Sequence, residues 1–84
     1  MKNEKKPELL KFSMRLKELR KESGLKQIQM AEILKCTWSH YQKIEYGQIN
    51  ISIIMLMDIA DYFNVTTDYL LGRYSRIKMS RAVV

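Results

Sequence analysis

The side chains of this sequence with reactive chemistry stand close together: Cys36, Ser39 and His40, with Lys35 and Lys43 to either side. Cys36 and His40 are four residues apart, a spacing that puts two metal ligands on one helical face. A zinc ion takes four protein ligands, or three and a water. The chain has one cysteine and one histidine in all, so the set cannot be completed. Ser39 beside His40 is adjacency without geometry, since no carboxylate pair or oxyanion donor is placed to work with the imidazole. The sequence therefore predicts no enzyme, no metal and no cofactor, with Cys36 a small core residue in a turn.

The elements around these residues are more informative. QIQMAEIL (27–34) has the apolar period of a helix, expected to bury Ile28, Ala31 and Leu34 with Met30 flanking. WSHYQKIEYG (38–47) reads as a second helix, with Tyr41 and Ile44 three apart on one face. Only Lys35, Cys36 and Thr37 separate them, room for a sharp turn, and Thr37 is a good N-cap. Two short helices joined in this way make a helix-turn-helix, whose second helix can enter the major groove of DNA.

The rest of the chain reads as support for that unit. A basic arm, residues 1–7, ends at Pro7, which is acceptable in a first helical turn. A helix from about Glu8 to Ser23 buries Leu9, Phe12, Leu16 and Leu19, and Gly24 stops it. Ser52 caps a fourth helix, Ile53 to Phe63, with Leu56, Ile59, Ala60 and Phe63 inward. Thr66 or Thr67 caps a last short helix, where Tyr69, Leu70 and Leu71 complete the core before Gly72. The expected fold is all-α, a compact five-helix domain over residues 8–72 with flexible basic termini. Residues 73–84 form a basic tail, either a dimerisation element or disordered.

Composition bounds the partners. The net charge is +6, but residues 12–72 carry seven basic and seven acidic side chains. The excess lies in the flanks, at Lys2, Lys5, Lys6 and Lys11 and at Arg73, Arg76, Lys78 and Arg81. No apolar run approaches the roughly 18 residues of a membrane span, and the N-terminus lacks the apolar stretch of a secretory signal. A lone cysteine suits a reducing cytoplasm, the expected location. Ile54, Met55 and Met57 lie off the core stripe, and Tyr62 and Tyr74 are expected to extend the apolar surface they form. A second apolar face on so small a domain points to a partner surface, most simply a two-fold dimer.

RLKELRKESGLKQ (15–27), QIQMAEIL, KIEYG (43–47), IADYFNV (59–65) and DYLLG (68–72), in this order, resemble the Cro and phage-repressor (XRE-type) helix-turn-helix domains. The resemblance covers Phe12 to Gly72, and it implies a lambda-repressor-like fold and a set of roles. Trp38, Ser39, His40, Gln42 and Lys43 match base-reading positions. Gln27, Tyr46 and Gln48 match positions that hold DNA backbone, with Arg15 and Lys26 as further phosphate contacts. Arg20 and Glu45 resemble the pair that ties the first helix to the end of the third. Glu45 would otherwise be an awkward negative charge at a helix C-terminus.

Several residues depart from the pattern. Lys35 stands where glycine is frequent, at a cost of about 1 kcal/mol if φ is positive. Lys26 replaces a Ser or Thr cap, and Ile51 a proline. Trp38 replaces a polar reader and offers apolar packing on thymine methyls with a single donor. Gln42 to adenine and Lys43 to guanine are the simple pairings left. The resulting expectation is a transcriptional regulator, a repressor that binds a palindromic DNA operator as a homodimer through helices four and five and the C-terminal tail. Control would come from concentration, proteolysis or a regulatory protein partner. The rival is a protein-interaction module, an antitoxin or adaptor, on the same scaffold.

Overall fold

The computed structural model describes residues 5–73. A 3₁₀ turn at Pro7–Leu9 leads into α1 (Leu10–Glu22), followed by α2 (Gln27–Leu34), α3 (Trp38–Glu45), α4 (Ile53–Phe63) and α5 (Thr67–Leu70). The fold is all-α, with no strand among the described residues, and none of these helices is long and apolar enough to cross a membrane.

Local chemistry sets the helix boundaries. Thr37, Ser52 and Thr66 cap α3, α4 and α5 by accepting from the backbone N–H of His40, Met55 and Tyr69. Lysine has no acceptor, so Lys26 cannot cap α2 in this way. Instead Gln29 Oε1 reaches back 2.8 Å to the Lys26 N–H, satisfying one end of that turn. At their C-termini all five α-helices close by the same paired backbone bonds. After α1, Gly24 N–H donates to the Lys21 carbonyl and Leu25 N–H to that of Arg20. The motif needs a left-handed residue, and at two of the five positions it is not glycine: Lys35 (φ 60°) and Asn64 (φ 57°).

The core draws on every helix. Phe12, Leu16 and Leu19 of α1 meet Met30 and Ala31, Tyr41 and Ile44, Ile59 and Ala60, Val65, and Tyr69 and Leu70. Three apolar assignments from the periodicity are corrected. Ile28 is 48% exposed, while Met30 is fully buried. The inward stripe of α2 runs through residues 27, 30, 31 and 34, so the polar Gln27 heads it in place of Ile28. Leu71 is exposed because the chain leaves the helix at that residue, after Leu70 has filled the core position. Met55 packs half-buried against the core, and the exposed apolar surface of α4 consists of Ile53, Ile54, Met57 and Tyr62. Tyr74 and nearly all of the 73–84 tail lie outside the described residues, as do residues 1–4 of the arm.

Candidate nucleic-acid interface

Tyr41 and Ile44 anchor α3 from within, at 0% and 1% exposure. With that face fixed, the helical period turns Ser39, Gln42, Lys43 and Tyr46 outward on one line. These four share an open hollow with Gln27 and Gln48. Trp38, 50% exposed at the first turn of α3, stands against the same Gln27. His40 and Lys26 are exposed nearby but do not line the hollow.

Beneath this surface is a buried polar network centred on Glu45. Arg20 grips its carboxylate with both arms of the fork, Nε to Oε2 at 2.7 Å and a terminal nitrogen to Oε1 at 3.1 Å. Tyr41 OH donates to Oε2 at 2.5 Å, and Gln27 Nε2 to Oε1 at 2.9 Å. Burial alone would push the Glu45 carboxyl up, but the hydrogen bonds from Arg20, Tyr41 and Gln27 outweigh it and hold the carboxyl below its usual range. The bond to Glu45 raises the Arg20 guanidinium further, while burial and the same carboxylate push the Tyr41 phenol far up. All three groups keep their neutral-pH charge states. A remaining Arg20 nitrogen donates to the Leu25 carbonyl at 2.8 Å, so the guanidinium also closes the turn after α1. Among the described residues no buried side-chain polar atom lacks a partner.

The network also orients Gln27. A carboxylate only accepts, so the Gln27 amide nitrogen must face Glu45 and its carbonyl must face outward. That carbonyl takes Gln42 Nε2 at 3.4 Å and Trp38 Nε1 at 3.5 Å. The link from Gln27 to Glu45 is not evident from apolar period alone. The four-residue spacing of Tyr41 and Glu45 and the inward phase of Gln27 are its available signals.

Arg15 lies elsewhere. Its guanidinium donates to the Tyr69 carbonyl at 2.9 Å and stacks over the Tyr69 ring at 4.4 Å, joining α1 to α5. The chain before α1 returns toward the hollow. Lys6 N–H donates to the Gly47 carbonyl at 2.8 Å, and Lys5 Nζ sits 4.2 Å from the Tyr46 ring centroid. The N-terminal arm is thereby held at the end of α3, with the Lys5 cation over Tyr46. No group of His, Cys, Asp and Glu side chains able to hold a metal occurs among the described residues. The Cys36 thiol is pushed up by burial, which makes it a poor thiolate.

A family model for the helix-turn-helix matches residues 16–70, which includes both helices of the unit and the whole Glu45 network. No curated protein and no solved structure matches the chain.

Proposed function

The chain belongs to the helix-turn-helix family of Cro/repressor-type DNA-binding regulators, and on that premise we propose that it is a repressor reading a palindromic operator as a homodimer. The observation that carries this reading is the outward line of α3. Ser39, Gln42 and Lys43 are solvent-exposed hydrogen-bonding side chains on a helix fixed from behind, with Trp38 at its leading end. In the major groove these four meet base edges, with His40 at the margin. Tyr46 and Gln48 border the line and grip phosphates, Gln27 does so through its backbone N–H at the N-terminus of α2, and Lys26, Lys5 and Lys6 add charge at its edges. In this reading Arg15 holds α1 to α5 and makes no phosphate contact.

The second copy docks on α4, where Ile53 and Ile54 are 74% and 70% exposed and Met57 and Tyr62 extend the apolar surface. A two-fold pair arranged so would set its α3 helices about 34–36 Å apart on one face of the duplex. Selection from a random duplex library at about 150 mM salt, where non-specific phosphate binding is weak, tests the whole reading. Enrichment of an inverted repeat supports it, and salt-steep binding to any duplex without enrichment refutes it. The exposed Trp38 favours one rival, a protein-docking surface on the same helix. That reading leads if Trp38→Ala abolishes capture of a protein partner while no DNA site is selected.

A further inference from the structure

We infer that Trp38 is a reader of pyrimidine 5-methyl groups, with Gln27 as the residue that sets its orientation. The inference rests on the DNA-reading function proposed above and names the chemical feature of the operator that α3 recognises.

The argument begins with the donor count. An indole has one hydrogen-bond donor and no acceptor. In this structure that donor faces the protein, with Nε1 3.5 Å from Gln27 Oε1. Gln27 cannot turn away without breaking its 2.9 Å bond to Glu45 Oε1, and Glu45 is itself clamped by Arg20 and Tyr41. The chain of constraint therefore runs from the buried ion pair, through one amide, to the indole. With the N–H edge turned inward, the exposed half of the ring is largely hydrocarbon.

A hydrocarbon edge in the major groove has few things to recognise. Guanine, adenine and cytosine present acceptors and amino donors there, and burying these against carbon leaves them unpaired. Thymine alone among the four bases presents a methyl group, and 5-methylcytosine presents the same group on the other pyrimidine. Trp38 thus selects a methyl-bearing pyrimidine at the step facing the start of α3. Gln42 shares the Gln27 carbonyl and uses one amide hydrogen on it. Its second amide hydrogen and its own carbonyl stay free for an adjacent adenine.

The test uses the full chain and the duplex obtained by selection. Each thymine of one half-site is replaced singly by uracil, and each cytosine by 5-methylcytosine, with affinities read by fluorescence anisotropy. At one thymine, uracil should weaken wild-type binding about fourfold, the effect of one buried methyl. Trp38→Ala should bind the thymine and uracil duplexes equally while still melting in one cooperative transition, since half of the side chain is exposed. Gln27→Met removes the acceptor but preserves length. It should lower the thymine/uracil ratio toward one, whereas loss of a phosphate contact alone would weaken both duplexes by the same factor. If wild type shows no thymine/uracil difference at any position, or if Trp38→Ala retains the ratio, methyl reading is overturned and the operator reading stands. If no duplex is selected at all, both fall together.

Discussion

Glu45→Ala is the substitution with the most to say about this fold. It removes the acceptor for four hydrogen bonds and leaves the guanidinium of Arg20, a residue 8% exposed, without its counter-charge. Breaking one side of a buried ion pair costs about 3–5 kcal/mol. At about 0.05–0.15 kcal/mol per residue, a chain of 84 residues has on the order of 4–13 kcal/mol in total, so the variant should sit near its unfolding threshold. Glu45→Gln keeps the shape and one oxygen but must turn an amide NH₂ toward one of the donors. It should cost about 2 kcal/mol. The variant Arg20→Met/Tyr41→Phe/Glu45→Met, which removes both charges and the phenol hydroxyl of the network together, should cost less than Glu45→Ala alone. Urea titrations followed by ellipticity at 222 nm, compared at equal m-values, measure all three. A Glu45→Ala cost below about 1 kcal/mol, or a triple variant as unstable as the single one, would refute the claim that an orphaned guanidinium sets the magnitude. The same network gives stability a sign with pH. The folded carboxyl lies below its ordinary value of 4.5, so the unfolded chain binds the proton first as pH falls. Its contribution is complete above that value and drains away toward the lower folded value, and Glu45→Gln should flatten this acid limb.

Other outcomes follow from single contacts. Lys35→Gly relieves a left-handed lysine at the turn between α2 and α3 and should stabilise the fold by about 1 kcal/mol in a thermal melt, with Asn64→Gly giving less. Ser52→Ala and Thr66→Ala each remove a cap bond and should each cost about 1 kcal/mol by urea titration. Arg15→Ala should cost about 1–2 kcal/mol through lost contact with α5. It should leave the salt dependence of DNA binding unchanged, whereas a slope reduced by about one unit would restore Arg15 as a phosphate contact.

Much of the frame is legible in the sequence because it is local. Thr37, Ser52, Gly24 and Gly47 act within a turn of their own positions, and the end of α1, both ends of α3 and the start of α4 follow from them. The phase of α2 is not legible in that way. Ile28 and Met30 are both apolar, so hydropathy alone permits either to lead the buried stripe. The choice depends on Gln27, which turns inward because Glu45, eighteen residues on, supplies an acceptor there. Arg15 shows the same limit. A cation on the first helix is suited to phosphate, and nothing local announces the Tyr69 carbonyl and ring, fifty-four residues away, that Arg15 also engages. Long-range polar contacts leave no period to read.

The neutral charge of residues 12–72 is the feature that most opposes a nucleic-acid interface, and the fold resolves it by segregation. The one acid of α3, Glu45, is buried and paired with Arg20, so α3 presents Lys43 to solvent with no exposed carboxylate beside it. Asp58 and Asp61 lie on α4, where they line a separate hollow with Tyr62 and Lys35, and Asp68 lies in the first turn of α5. No acidic residue lines the hollow of Gln27, Ser39, Gln42, Lys43, Tyr46 and Gln48, and Lys5 stands at its edge over Tyr46. A domain without net charge thus presents a face with cations and no anions, which is what a polyphosphate meets at close range once salt has screened the rest. Lys43→Glu should then weaken DNA binding more than the same charge reversal at Lys17, an exposed lysine of α1 outside that hollow. Equal losses at the two positions in salt-titrated binding would show that total charge, and not its placement on α3, governs association.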